Sequence, residues 1–116
     1  MKIKTSELTG LALDWAVAKC EGVTLEMYAG MWWADPFDTG TKQQWRVSSN
    51  WLQGGPIIKK EEIGVYTQYP RAGKCVWFAR HKGSIKGAGP TPLIAAMRCY
   101  VASKMGEEID VPEELV

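Results

Sequence analysis

The sequence lacks the residue groups that mark metal, disulfide and membrane proteins. Its three cysteines, Cys20, Cys75 and Cys99, lie far apart without a CxxC pair, and His81 is the only histidine. Isolated cysteines in odd number predict neither a disulfide framework nor a zinc site, so we expect no cofactor. There is also no apolar run of about 18 residues and no apolar leader, which predicts a chain that stays in a reducing cytoplasm, away from membranes.

An excess of charge of either sign is also missing. Fourteen basic and thirteen acidic residues give a net charge of +1. Binding along a nucleic-acid backbone needs many clustered cations, so we expect no long nucleic acid as a partner. A length of 116 residues with 46% hydrophobic and 23% charged residues predicts one domain, residues 1–116, with a single core.

The sequence contains no strong catalytic motif. Cys75 and Cys99 are the candidate partners of His81, and Cys75 falls on the same predicted strand as His81, but nothing in the sequence marks either thiol as activated. The acidic pairs Glu61-Glu62 and Glu107-Glu108 have the character of solvated surface. We therefore expect a protein that is not an enzyme, with a Cys/His nucleophile as the weaker alternative.

Tryptophan is the residue in excess. The chain has six, and four of them, Trp32, Trp33, Trp45 and Trp51, lie in the Gly-, Pro- and polar-rich interval from 30 to 55. We predict a long loop for this interval, with residues 44 to 48 as an optional short strand. A loop rarely hides an indole, so these side chains need either a core position or a ligand.

Hydrophobic periodicity and end signals define the elements. A helix is predicted over residues 10 to 21, with Thr9 as N-cap and Gly22 as stop. The second helix begins after Thr91 with Pro92 and ends at Gly106. Strands are predicted for residues 24 to 28, 63 to 67 and 74 to 81, the last two as a hairpin, with one helical turn after Pro56. The fold class is α+β: an antiparallel β-meander with the N-terminal and C-terminal helices packed on one face, and a long Trp-rich loop.

Two Gly-Pro stretches allow two interpretations each. GAGPTP, residues 87–92, is either a turn with Thr91 as a cap, or a helix start whose free N–H groups bind phosphate. NWLQGGP, residues 50–56, is either a turn that folds Trp51 onto the core, or a stacking and hydrogen-bonding site for a base. Arg98 interrupts an apolar helix, so it either pairs with an acid such as Asp14 or points into a site. Arg80 belongs to a basic cluster around the hairpin that is either solvated or phosphate-binding.

A resemblance to a known family spans nearly the whole chain. It is carried by three segments, LTGLALDWAVAKCEG, NWLQGGPII and GPTPLIAAMRCYVASKMGEEIDVPEEL. In these segments the sequence resembles the NinX-like family of small phage proteins, a domain of unknown function. The resemblance implies a phage origin and action in the cytoplasm of the infected bacterial host, and it brings no established chemistry. The order of helix, meander and helix is also similar to small phage alpha-beta sandwich domains.

The resemblance to a phage family and the lack of catalytic groups together suggest a sponge for an immune signalling nucleotide. We therefore predict a homo-oligomeric, non-catalytic binding protein that sequesters a small nucleotide-derived ligand. The alternative is a protein-interaction module that inhibits a host enzyme through an aromatic surface. The predicted ligand-binding residues are Trp33, Trp51, Gly54, Gly55, Trp77, Arg80, Gly89, Thr91 and Arg98.

Overall fold

A computed structural model describes residues 1–67 and 76–115. The helices span Gly10–Glu21 (α1), Trp51–Glu61 (α2) and Pro92–Met105 (α3), and single 3₁₀ turns span Thr5–Glu7 and Glu113–Leu115. The strands span Lys2–Lys4 (β1), Glu26–Tyr28 (β2), Met31–Ala34 (β3), Gln43–Gln44 (β4), Gly64–Thr67 (β5), Trp77–His81 (β6), Ser84–Gly89 (β7) and Glu108–Asp110 (β8). The predicted turn around Pro70, the basic residues Arg71 and Lys74, and Cys75 lie outside the described residues.

The predicted ends of α1 and α3 are confirmed. Thr91 is the N-cap of α3, because its Oγ1 accepts a hydrogen bond from the Ile94 N–H at 3.1 Å. Gly22 ends α1 with a φ of 70°, in the left-handed region that favours glycine. Thr9 precedes α1 in extended conformation, but its side chain makes no capping bond.

The α+β class and the antiparallel pairing are confirmed, but the strands form separate sheets. The described strands make the sheets β1–β8, β2–β3–β4 and β5–β6–β7, and each pairing is antiparallel. The predicted hairpin of β5 and β6 is present. Strand β2 pairs with β3 instead of joining that hairpin, because the two-residue turn Ala29-Gly30, with positive φ at both positions, returns the chain at once.

The prediction of one long loop from 30 to 55 is wrong. The interval contains β3, β4 and the first turn of α2, and Asn50 caps α2 by accepting the Leu52 N–H at 3.0 Å. Pro56 lies inside α2, where it removes a bond to the carbonyl of Leu52.

Strand β7 was not predicted, and it contains the glycines of GAGPTP. Gly87 and Gly89 are buried, and both face α3. A Cβ at Gly87 would lie 2.6 Å from the Cys99 nitrogen and 2.9 Å from its Cβ. Glycine weakens a strand locally but is required where another backbone approaches this closely. These residues are therefore explained by helix packing.

Helix α3 is the centre of the core. Neighbouring elements cover this helix on several sides. Its fully or nearly fully buried residues are Leu93, Ala95, Ala96, Met97, Cys99, Tyr100 and Val101. The β5–β6–β7 sheet covers one side, while α1 and α2 pack on others. The small side chains of Ala95, Ala96 and Cys99 permit this burial.

The C-terminal tail folds back onto the N-terminus. Strand β8 pairs with β1, with Ile3 opposite Ile109, and both Ile109 and Val111 are buried. These two side chains belong to the hydrophobic core, so the tail is part of the packed domain.

Replacement of Gly87 by Ala tests the close packing of α3 on β7. We expect Gly87→Ala to lower the free energy of unfolding by about 1–3 kcal/mol or more, because the new methyl group meets the backbone of α3. Gly64→Ala in β5 is the matched control, since a Cβ there has no atom within 4 Å. Urea denaturation measures both variants. Equal stability of Gly87→Ala and wild type would contradict the packing role.

Candidate functional site

The two Gly-Pro stretches meet at the starts of α2 and α3. A Cβ at Gly54, in the first turns of α2, would lie 2.5 Å from Cδ1 of Leu93, the second residue of α3. At the other end of the helices, Lys104 Nζ lies 3.1 Å from Glu61 Oε1. Helices α2 and α3 therefore run side by side in the same direction, with both N-terminal ends on one side of the molecule.

The residues that precede and begin α2 form a tight turn. The carbonyl of Arg46 accepts hydrogen bonds from the N–H of Ser49 at 3.0 Å and of Asn50 at 2.9 Å. Arg46 is exposed and makes no ion pair within the described chain. Trp51, the first residue of α2, is 55% exposed. A cation and an indole thus lie next to one helix start.

We call this region the helix-start surface and define it by five exposed or half-buried residues. Its members are Arg46, Ser49, Asn50, Trp51 and Thr91.

The buried side chain of Asp14 in α1 binds the turn that precedes α2. Asp14 of α1 is 5% exposed, and its Oδ1 accepts the Ser48 N–H at 2.8 Å. Its backbone carbonyl accepts the indole N–H of Trp45 at 2.9 Å. Burial raises the pKa of Asp14, and the bonds from Ser48 oppose this rise. The start of α2 is therefore fixed to α1 by one residue.

Six of the nine predicted site residues lie around the two helix starts, but not all are available to a ligand. Gly54 and Gly89 are buried packing positions, and a Cβ at Gly89 would lie 2.9 Å from Cγ2 of Ile94. Trp77 is half-buried and pairs with Gly89 across β6 and β7. Trp51 and Thr91 are exposed, and a Cβ at Gly55 would meet no atom within 4 Å. Of these six residues, only Trp51, Gly55 and Thr91 have neither a packing role nor a strand-pairing role of this kind.

The amides of this segment serve the fold. Gln53 Oε1 accepts the Arg46 N–H at 2.8 Å, and its Nε2 donates to the Gln44 carbonyl at 2.7 Å. Asn50 Oδ1 is occupied as the helix cap. The Gln53 amide is therefore held by the backbone next to β4 and is not free to read a base edge.

Arg98 does not pair with Asp14, which was one of the two interpretations of this residue. Its Nε donates to the Leu8 carbonyl at 2.7 Å and its Nη1 to the Ala88 carbonyl at 2.8 Å. Burial lowers its pKa. The guanidinium has no bond to Asp14, whose Oδ1 accepts from Ser48. Arg98 instead joins the residue before α1 to β7.

Arg80 lies away from the helix-start surface. It is near the far end of β6 from Trp77, with its guanidinium carbon 5.5 Å from the centre of the Tyr66 ring. It lines a cavity of about 370 Å³ together with Glu61 and Glu62, at the C-terminal end of α2.

Trp33 lies in a different cavity. Its indole N–H donates to the Tyr28 carbonyl at 3.1 Å. It lines a space of about 420 Å³ with Glu26, Asp35, Asp38 and Lys42, and Lys42 forms an ion pair with Glu26. The remaining carboxylates, Asp35 and Asp38, disfavour a phosphate group beside this indole.

Sequence reasoning missed Arg46. The only local signal was its place four residues before the helix cap Asn50, and a helix start at Trp51 was not predicted. With α2 taken as a loop, nothing connected this arginine to a helix N-terminus.

The described thiols are held protonated. Burial, together with the charge of Glu21, raises the pKa of Cys20 to about 11. Burial also raises the pKa of Cys99. His81 is 8% exposed, and its Nδ1 bonds to no group among the described residues.

Residues 1–67 and 76–115 lack metal-binding clusters and membrane-spanning helices. No cluster of three or more His, Cys, Asp or Glu side chains there could hold a metal ion. In the same ranges no helix has the length and apolar character needed to span a membrane.

Comparison with known proteins identifies the family. The family model described as bacteriophage P22 NinX matches residues 4–104, which include both Gly-Pro stretches and all three helices nearly to the end of α3. The chain therefore belongs to the NinX family of phage proteins. No curated protein matches the chain.

The buried carboxyl of Asp14 predicts a pH-dependent stability. A carboxyl whose pKa is raised by folding contributes most to stability below its ordinary pKa of 3.8, and this contribution is lost as pH rises through the raised value. Asp14→Asn keeps an acceptor for Ser48 but does not titrate. We expect the stability of Asp14→Asn relative to wild type to increase with pH from about 3.8 upward, measured by urea denaturation.

Asp14→Ala is the companion variant. It leaves the buried Ser48 N–H without its acceptor, which costs about 1–3 kcal/mol. Parallel pH profiles for wild type and Asp14→Asn would refute the assigned titration.

Proposed function

We propose that this NinX-family protein is a phage accessory protein that sequesters a small nucleotide-derived ligand, without catalysis, in the cytoplasm of the infected host. The observation that carries the proposal is the parallel placement of α2 and α3, which puts two helix N-termini beside the exposed indole of Trp51. An immune signalling nucleotide is a ligand of the expected class, because binding alone is enough to remove it.

The helix-start surface favours an anionic group. Each helix N-terminus carries about half a positive charge and contributes about 0.3–1 kcal/mol to the binding of an anion. Arg46 adds a full charge that no acid in the described chain neutralises. Its planar guanidinium can bind two phosphate oxygens at once. Phosphate recognition therefore does not require Arg80 or Arg98.

Trp51 supplies the aromatic part of the proposed site. At 55% exposure, a large part of its surface is open to a base. Stacking of a base on an aromatic side chain contributes about 1–3 kcal/mol. Thr91 is exposed and Gly55 is half-buried, and a Cβ at Gly55 would meet no atom within 4 Å, so steric hindrance beside Gly55 is small. With a chain charge of only +1, a ligand with one or two phosphates fits better than a long polyanion.

Trp51→Ala tests the proposal. Calorimetry and tryptophan fluorescence should detect binding of a member of a panel of cyclic dinucleotides and ADP-ribose derivatives. We expect Trp51→Ala to weaken that binding about 5- to 100-fold, the equivalent of one stacking contact. Arg46→Gln should weaken binding and reduce its dependence on salt.

Phe37→Ala is the control for Trp51→Ala. Phe37 is 73% exposed but lies between β3 and β4, so its loss should leave affinity unchanged. Absence of binding across the whole panel, with folded protein, would overturn the proposal.

A second candidate is a module that inhibits a host enzyme, and Leu52 favours it. This side chain is 85% exposed next to Trp51, and paired exposed apolar residues are typical of protein contacts. Leu52→Glu discriminates between the candidates. It should abolish capture of a stoichiometric host protein if the alternative holds, and it should spare nucleotide binding if the first proposal holds.

We also propose that the protein is a homo-oligomer. Tyr66 and Phe78 stack on the face of the β5–β6–β7 sheet opposite α3, with ring centres 5.7 Å apart. Such a face favours association with an equal surface on a second copy. Sedimentation velocity should give a mass above one chain that falls towards one chain for Tyr66→Glu. A monomeric mass for the wild type would contradict this.

A further inference from the structure

A second aromatic region lies between α1 and the β2–β3–β4 sheet, and no residue of the helix-start surface belongs to it. It is a groove of about 300 Å³, which we call the indole groove. Its lining residues are Trp15, Ala18, Lys19, Val23, Leu25 and Trp32. This volume suits one small ring system.

The two indoles of the groove are held differently. Trp32 is fixed, because its N–H donates to the Leu11 carbonyl at 3.0 Å. Trp15 and Lys19 lie one turn apart on α1, and Lys19 Nζ is 4.9 Å from the centre of the Trp15 ring. Both indoles are half-buried, so each keeps some surface open to the groove. The groove thus offers aromatic walls with an ammonium group beside one of them.

The charge of Lys19 is available to a ligand. It forms no ion pair within the described chain. Asp110, the acid whose pKa it influences, already binds the N-terminal ammonium of Met1 at 2.9 Å. No carboxylate lines the indole groove. The single charge of the groove is therefore positive.

A neighbouring cavity provides a contrast. It has a volume of about 340 Å³ and is also lined by Trp15 and Lys19, but Asp110 and Glu113 line it as well. These carboxylates disfavour an anion on that side of Trp15. An anionic ligand should therefore choose the indole groove.

We infer that the indole groove binds a small planar aromatic anion, with its ring against Trp15 and Trp32 and its anionic group at Lys19. The aromatic walls and the aliphatic floor of Val23 and Leu25 bury the ring, and Lys19 provides the selection for negative charge. The site is independent of the proposed nucleotide site, since the two share no residue.

Two probes with the same ring system test the inference on the full chain. They are 1-anilinonaphthalene-8-sulfonate, an anion, and N-phenyl-1-naphthylamine, its uncharged counterpart. Fluorescence titration should show tighter binding of the anion, and Lys19→Gln should weaken the anion about tenfold while it leaves the neutral probe unchanged. Lys2→Gln, at another exposed lysine, is the matched control and should change neither affinity.

The indole N–H resonances locate the probe. In a ¹⁵N-labelled sample, with assignments from single Trp→Phe variants, the anion should shift the signals of Trp15 and Trp32 and leave that of Trp51 in place. Equal affinity for both probes with no effect of Lys19→Gln would overturn the inference. So would shifts confined to other indoles, or a mass change showing that a second copy fills the groove. Loss of nucleotide binding in Trp51→Ala has no bearing on these readouts.

Discussion

The close approach of α3 to β7 is the constraint on which the remaining structure depends. Gly87 and Gly89 present no side chain to the helix, and a Cβ at Gly87 would meet the backbone of Cys99. Because α3 lies this close to the sheet, its opposite sides stay available to α1 and α2. One helix can then be covered by three elements. A domain of 116 residues gains a well-buried core in this way.

Polar bonds from α3 then fix the surrounding elements. Arg98 donates to the Leu8 carbonyl, which sets the start of α1, and to the Ala88 carbonyl in β7. Near the other end of the helix, the buried Tyr100 hydroxyl donates to Glu21 Oε2 at 2.6 Å, and Lys60 of α2 binds the same oxygen at 2.6 Å. Burial and the bond to Glu21 raise the pKa of Tyr100, so this hydroxyl stays a donor. The three helices are thereby joined near their C-terminal ends.

Local signals in the sequence predicted the helix ends, and long-range packing explains where prediction failed. Thr91, Gly22 and Gly106 act through bonds and dihedral angles within a few residues, so their roles can be derived from the sequence. The glycines at 54 and 87 act through contacts with distant residues, Leu93 and Cys99. Sequence alone interpreted them as turn or ligand positions, because the partner that requires a glycine is absent from the local pattern.

The tryptophans differ in whether the fold uses their indole N–H groups. The indole N–H groups of Trp32, Trp33 and Trp45 each bond to a backbone carbonyl, so these residues hold the segment before α2 against the rest of the chain. Trp51 is the most exposed of the six indoles, and its N–H makes no hydrogen bond within residues 1–67 and 76–115.

Helix packing therefore accounts for most of the glycine residues in the two Gly-Pro stretches that first suggested a phosphate site. It leaves Trp51 and Arg46 at the helix starts, and Lys19 beside Trp15, without a structural requirement for their exposed groups. Binding is best sought at these side chains, because the fold gains little from their exposure. The glycines contribute indirectly to the proposed binding surface. By bringing α2 and α3 side by side, Gly54 places the two N-terminal dipoles on the same surface as Trp51.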